Sequence, residues 1–408
     1  MSALGKIPPL WSMIKWSSSP RNHPLKVDGD AFMSEQPWEF AAPPDLTSVK
    51  DKIAAYDEDI WEFYKKLTNP YELIFTTTGK WATPASVCML HPLSRSYFKM
   101  VEILQVAGVF GRFINQNMRT AHVCEGPGGF IQAVYDQADR SRKRVTQTVA
   151  MTLKPTENQV PGWKRAVNFL KKNQQIKILY GASGTGDILN AANRESFYGE
   201  CNGLIHIVTA DGGVDFATNY VEQEKTIYPL LVASSVMALK CLIEGGVYVL
   251  KIFDSFTRPT EDLILGLGAA FQSWTLYKPA TSRPCNSEQY FIGVGYRKGS
   301  CATLIQTLES ILVHPYLPHK LWTDESFSDI QRSAYRELQI ERAAKQVSTI
   351  DYTLSLVDTI DADAEKALWE TNIKASKEFC TAFHLPAVIQ LPVAKVCRPV
   401  PVPVPTSL

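Results

Sequence analysis

His122-Val123-Cys124-Glu125-Gly126-Pro127-Gly128-Gly129-Phe130 decides how the rest of the chain is read. Ala121, Val123 and Cys124 form the end of a short apolar strand. Gly126, Pro127, Gly128 and Gly129 make a tight turn. Phe130, Ile131, Ala133 and Val134 then open a helix. A strand that passes through glycines into a helix brings bare backbone N–H groups and a positive helix end to one place. Nucleotides, flavins and S-adenosylmethionine all use such turns, and some turns serve packing only. The stretch alone does not choose among them.

Downstream, apolar runs at 145–153, 175–179, 204–210, 246–252, 274–277 and 289–296 predict strands, the last two pairing antiparallel at an edge. A helix over 94–105 precedes the turn, and helices over 227–243 and 260–271 separate the later strands. Buried strands alternating with helices predict a parallel, doubly wound α/β sheet. Ligands meet such a sheet at the carboxyl ends of its strands. Glu125, the loop Gly181–Ile188, Asp211 and Lys251 all fall at those ends. The 181–188 loop lacks the Lys-Ser/Thr ending of a P-loop, which argues against nucleoside triphosphates. Strand 145–153 runs into Met151-Thr152-Leu153-Lys154 and has no terminal acid, which argues against a nicotinamide oxidoreductase.

Lys251 sits in the apolar run VYVLKIFD. An ammonium there is costly unless it is paired or works chemically. An ion pair with Asp211 is one reading, a reaction site the other. Lys99, on the 94–105 helix, reads locally as a solvated helix lysine.

The 408 residues carry 45% hydrophobic and 20% charged side chains and a net charge of +1. This suits a globular protein with a full core, and any nucleic-acid surface must be local. The cluster Arg140, Arg142, Lys143 and Arg144 is either such a surface or a solvated loop. The eight cysteines have no zinc-knuckle spacing and read as reduced thiols, so no metal site is expected. The N-terminus has no signal-peptide core, and the apolar run 228–243 is too short and polar for a bilayer. An intracellular protein without membrane contact is therefore expected.

The flanks differ in texture. Residues 1–46 are proline-rich and predict an extended arm anchored by Trp11, Trp16 and Trp38. A single amphipathic helix is expected over 48–67. Residues 301–390 predict a helical extension, with helices over 327–357 and 362–383. Residues 391–408, with PVPVPVP, predict a polyproline-like tail. The division is thus 1–80, an arm and helix; 81–300, the sheet domain; 301–390, the extension; and 391–408, the tail.

Eight strings now bear on identity: NPYELI (69–74), YFKM (97–100), CEGPGGF (124–130), MTLK (151–154), GTGDI (184–188), ADGG (210–213), VLKIFDSF (249–256) and KPATSRPCNSEQYFIG (278–293). In this order and spacing the chain resembles the FtsJ-like ribose 2′-O-methyltransferases. Within them it is most similar to the cap-specific mRNA (nucleoside-2′-O-)-methyltransferases of eukaryotes and large DNA viruses. The resemblance implies a Rossmann-like methyltransferase fold with a mostly parallel seven-stranded sheet and helices on both faces. It implies S-adenosyl-L-methionine as cofactor and methylation of a ribose 2′-hydroxyl near the 5′ cap, at the first or second nucleotide. Lys99, Asp211, Lys251 and Glu288 take the positions of the family's catalytic tetrad. Lys251 would be the general base; burial and Lys99 push its pKa down, Asp211 and Glu288 work against that, and the sequence does not set the balance. The cofactor set implied is Glu125, Gly126, Pro127, Gly128, Gly129, Phe130, Leu153, Asp187 and Asp211. Arg95, Arg283, Asn286 and Ser287 are candidates for RNA contact, and Trp81, Tyr97 and Phe256 for stacking on a cap. The partner implied is capped RNA, with other capping or transcription proteins able to use the extension or tail. The implied location is the nucleus, or for a viral protein the cytoplasm, viral factory or virion. An rRNA or tRNA 2′-O-methyltransferase and a catalytically silent RNA-binding module of the same fold are the alternatives.

Overall fold

The computed structural model describes residues 17–19, 25–31, 38, 42–76, 85–114, 117–155, 162–213, 223–357 and 359–389. Trp11, Trp16, Trp81 and the tail 391–408 lie outside the described residues.

The sheet contains β1 (Ser17–Ser18), β2 (Asn117–Val123), β3 (Arg144–Met151), β4 (Ile176–Leu179), β5 (Ile205–Ala210), β6 (Leu242–Ile252), β7 (Phe271–Tyr277) and β8 (Gln289–Tyr296). Their order is β1-β7-β8-β6-β5-β2-β3-β4. Strands β4, β3, β2, β5 and β6 pair parallel, while β8 pairs antiparallel with both β6 and β7. The doubly wound arrangement expected from the apolar runs is therefore present, with one strand more than expected. That strand is β1, from the N-terminal arm, which pairs antiparallel with the edge strand β7. Two residues of that segment carry no apolar pattern, so only the register with Ser273 and Trp274 reveals it.

Residues of the central strands are buried on both faces because helices cover both. On one side lie α7 (Gln223–Cys241) and α8 (Arg258–Ala269); on the other lie α3 (Ser96–Val106) and α4 (Gly129–Arg140). His122 in β2 is fully buried between Thr209 and Thr120 hydroxyls. Burial lowers its pKa to about 3, which makes it a neutral core residue.

The helix expected over 48–67 is two helices, α1 (Pro44–Ile53) and α2 (Glu58–Leu67). Asp57 causes the break, since its side chain accepts the Asp59 N–H and starts a new helix. Between β3 and β6 the sheet is interleaved with α5 (Val167–Lys172) and α6 (Ala191–Cys201). The C-terminal extension is α9 (Ala302–Val313), α10 (Asp329–Ser355) and α11 (Ala362–Ala382). Helix α10 begins with a reciprocal Ser328/Gln331 capping box. It packs on α1 in a small core with Leu46, Val49, Ala343 and Ile350. The Asn372 amide donates to the Leu67 carbonyl, so the two flanks meet although they lie at opposite ends of the sequence.

The arm is anchored where described: Val27 bridges to Trp322, and Trp38 meets Tyr228 edge-on at 5.1 Å. No described helix is long and apolar enough to cross a membrane.

Candidate active site

The glycine turn is shaped by packing as much as by any ligand. Cys124 closes β2 at φ 58°, a left-handed conformation that a non-glycine residue adopts at a cost of about 1–2 kcal/mol. Gly128 follows at φ 101°. A Cβ at Gly129 would lie 2.2 Å from Ser94 Oγ and 2.3 Å from Ser96 Oγ, so glycine lets α4 start against the start of α3. Glu125 is 2% exposed. One of its oxygens accepts the Phe130 N–H at 2.7 Å, capping α4. Its Oε2 is buried with no hydrogen-bond partner among the described residues. Burial, then the nearby Asp211, push this carboxyl well above the usual carboxylate range. A buried acceptor without a donor, close to Asp211, suits a group that brings hydrogen-bond donors or positive charge.

The 181–188 loop lies against the end of β3. Gly186, at φ 71°, would place a Cβ 1.9 Å from the Thr152 carbonyl, and the Lys154 N–H donates to the Thr185 carbonyl. Asp187 is half-buried and accepts the Leu189 N–H. Leu153 and Leu189 are 45% and 46% exposed at this mouth, a small apolar surface on otherwise covered strand ends. Leu189 was not legible beforehand, since nothing in the sequence separates it from Ile188, which is buried.

The four charged residues meet in two ion pairs. Lys99 Nζ lies 2.6 Å from Glu288 Oε1 and 2.9 Å from Oε2. Lys251 Nζ lies 3.3 Å from Asp211 Oδ1. Tyr290 joins the pairs, its hydroxyl lying 3.1 Å from Glu288 Oε1 and 3.3 Å from Asp211 Oδ1. Side-chain exposures of 11–16% leave each charged head partly open to the cleft. Gly213 makes room for Lys251, since a Cβ there would come 3.3 Å from its Nζ. Lys278 supports the loop from beneath, donating to the Glu288 carbonyl at 3.0 Å.

Burial pushes the Glu288 carboxyl up, but the Lys99 and Lys251 ammoniums outweigh it and hold it at about 2. Burial likewise pushes Lys251 down. Asp211 and Glu288 outweigh that, so its pKa lies above the ordinary 10.5. The opposing influences on Lys251 are thereby decided toward the charged form, with Asp211 in contact at 3.3 Å and Glu288 adding to it. Tyr290 was missed in the sequence. Its signal was position, two residues after Glu288, the spacing that returns a strand side chain to the same face. Burial, then the two carboxylates, push its phenol well above the ordinary 10.0, so it stays a donor. Replacing Tyr290 by phenylalanine removes a hydrogen bond to charged groups, an effect of about 1.5–3 kcal/mol. The expected result is a roughly tenfold lower turnover at neutral pH with donor affinity unchanged, measured by single-turnover kinetics and titration calorimetry.

Several RNA candidates have other work. Arg95 donates to the carbonyls of Tyr71, Glu72 and Phe75, which fixes the 69–75 turn to the start of α3. Its guanidinium is thus committed to the fold. Arg283 grips Glu72 with two N–H donors at 3.0 and 3.1 Å, and Asn69 holds the same carboxylate. Burial raises Glu72, yet Arg95 and Arg283 bring it to about 2. Asn286 and Ser287 stay half-buried beside Glu288. Tyr97 is fully buried with its hydroxyl on Asp136, so it cannot stack on a cap. Phe256 packs in the small core under α10. In the basic cluster, Arg140 donates to the Phe383 and His384 carbonyls at the end of α11 and Lys143 to that of Phe113, while Arg142 and Arg144 are exposed.

The FtsJ-like methyltransferase family model matches residues 92–296, a span from the start of α3 to the end of β8 that includes all four charged residues. Among curated proteins, cap-specific mRNA (nucleoside-2′-O-)-methyltransferase 2 of Danio rerio is 27% identical over 355 residues, 83% of this chain and 46% of that protein. The cap-specific mRNA (nucleoside-2′-O-)-methyltransferase of Autographa californica nuclear polyhedrosis virus is 33% identical over 170 residues, 42% of this chain and 61% of that protein. Cap-specific mRNA (nucleoside-2′-O-)-methyltransferase 1 of Trypanosoma cruzi is 27% identical over 282 residues, 62% of this chain and 75% of that protein. The alignments thus span about half of the zebrafish relative and rather more of the viral one. With β2 to β8, the glycine turn and the paired charges all inside the matched span, the chain belongs to the FtsJ-like methyltransferase family.

Proposed function

We propose that this protein methylates a ribose 2′-hydroxyl next to the 5′ cap of mRNA, at the first or second nucleotide, inside the cell. S-adenosyl-L-methionine is the methyl donor. One observation carries this reading: two lysine–carboxylate pairs, joined by Tyr290, stand at the strand ends beside the buried, unpartnered oxygen of Glu125. The residues present fit the donor. Asp211 offers negative charge and Glu125 an unpartnered acceptor oxygen for its ammonium, the glycine turn offers backbone N–H groups for its carboxylate, and Leu153 and Asp187 suit an adenosine.

When bound, the donor supplies an electrophilic methyl group on a sulfonium. Everything else falls to the chain. A hydroxyl oxygen must be held in line and must lose its proton as the new bond forms, so orientation is a main source of rate. Lys99, held by Glu288, orients the hydroxyl. Lys251, held by Asp211, takes its proton. Because Asp211 and Glu288 keep Lys251 charged, its base form is scarce at neutral pH and gains about tenfold per pH unit below its pKa. Single-turnover rates are therefore expected to climb with a slope near one between about pH 7 and pH 9, without a plateau. A flat profile over that range would assign the proton to another group.

The test uses labelled donor and three RNAs, with a methylated cap, an unmethylated cap or no cap. Label is expected on the 2′-oxygen of the first or second nucleotide of capped RNA. Label on a base, or equal label on uncapped RNA, overturns the reading.

A further inference from the structure

Glu102 stands three residues after Lys99, one turn along α3. It is 1% exposed, and the reaction above does not use it. Its Oε1 accepts the Tyr277 hydroxyl at 2.5 Å and the Ala280 N–H at 2.8 Å, and its Oε2 faces the Thr281 hydroxyl at 3.5 Å. Those donors occupy the end of β7 and the start of the loop that leads to Glu288. The carboxylate therefore bolts the helix bearing Lys99 to the segment that leads into the loop bearing Glu288. Burying a carboxyl is costly, and burial holds this one up at about 7 against its donors. A leucine would fill the space with less penalty but would leave three donors unmatched.

The Lys99–Glu288 contact is 2.6 Å, made by two flexible side chains from elements 189 positions apart. Its geometry depends on how those elements are locked together. We propose that Glu102 is a positioning residue for the methyl transfer: it holds the 277–281 segment on α3 and so fixes Lys99 against Glu288. This rests on the function proposed above. A misplacement of about 1 Å in such a site is worth up to about 100-fold in rate.

The test compares Glu102→Leu, Glu102→Gln and Tyr277→Phe in the full chain with two readouts. The first is the rate at which a water-soluble acetylating reagent labels Lys99, read by mass spectrometry without RNA, with the exposed Lys26 and Lys345 as internal standards. The second is single-turnover methylation of capped RNA at saturating donor. Glu102→Leu is expected to label Lys99 at least about fivefold faster and to turn over about 10- to 100-fold more slowly, with donor affinity within about twofold. Glu102→Gln keeps an acceptor for Tyr277 and Ala280, so it restores both readouts to near wild type. Tyr277→Phe lies between them. Wild-type labelling of Lys99 in Glu102→Leu, at a temperature where circular dichroism shows it folded, overturns the proposal. So does equal impairment of Glu102→Gln and Glu102→Leu. If the labelling pattern holds but wild-type protein leaves capped RNA unmethylated, the tether stands and the proposed function falls.

Discussion

Lys251→Ala is expected to lower the methyl-transfer rate by about 10²–10⁴-fold while donor binding stays within a few-fold of wild type. The loss is large because Lys251 is the ammonium placed against Asp211 at the end of β6. Without it the hydroxyl proton has no acceptor on that side, and Asp211 keeps only the Tyr290 hydroxyl among the partners described for its side chain. Lys251→Arg separates two ways of using a cation. Arginine keeps the charge beside Asp211 and Glu288 but stays protonated at every working pH. If Lys251 takes the proton, the arginine variant is as slow as the alanine variant. If it only holds charge in place, arginine retains most of the rate. Rapid-quench assays with saturating donor and capped RNA decide between them, and an arginine variant above about a tenth of wild-type rate would remove the base role.

Arg332→Leu is expected to lower the unfolding free energy by about 3–5 kcal/mol. Arg332, on α10, is 7% exposed at its side chain and contacts Glu261 at 2.5 Å and Asp262 at 2.9 Å, both on α8. Those carboxylates are 5% and 0% exposed. Removing the cation leaves two neighbouring acids in the core, with Arg336 and Arg258 as their remaining cations among the described residues. Asp262 also accepts the Leu321 N–H and Trp322 N–H, so a shift here disturbs the fully buried Trp322. Urea unfolding followed by circular dichroism should give one transition with a lower midpoint, because α10 is keyed into a helix that covers the sheet. A separate early transition confined to the last helices would show instead that 301–390 is a loosely attached extension. An unchanged midpoint would show that the network contributes nothing net.

Much of the fold was legible because it rests on local pattern. Near-continuous apolar runs at 204–210 and 246–252 read as strands buried on both faces, and they are β5 and β6. The glycines of 126–129 read as a strand-to-helix turn, which α4 bears out at Gly129. The reading failed where a short signal competed with a longer one. Periodicity carried the 48–67 helix through Asp57, yet a single side-chain cap ends one helix and starts another. It failed again at β1, a two-residue strand whose only warrant is its neighbour.

The site divides in the same way. Which residue types stand at the strand ends, and in what order, is a property of the sequence, and Asp211 and Lys251 were found there. Their pairing is not. Lys99 could have faced either acid, and only the packing of α3 against the 278–288 loop gives it Glu288. Arg95 and Arg283 look like phosphate ligands in one dimension, but in three they hold backbone carbonyls and a buried glutamate. The charge on Lys251 was likewise undecided until the fold set carboxylates against it, since burial and ion pairing act in opposite directions and their balance depends on distances of a few ångströms. Sequence determines the local conformations and the inventory of chemical groups. Tertiary structure decides which of those groups lose water and which charge each one meets.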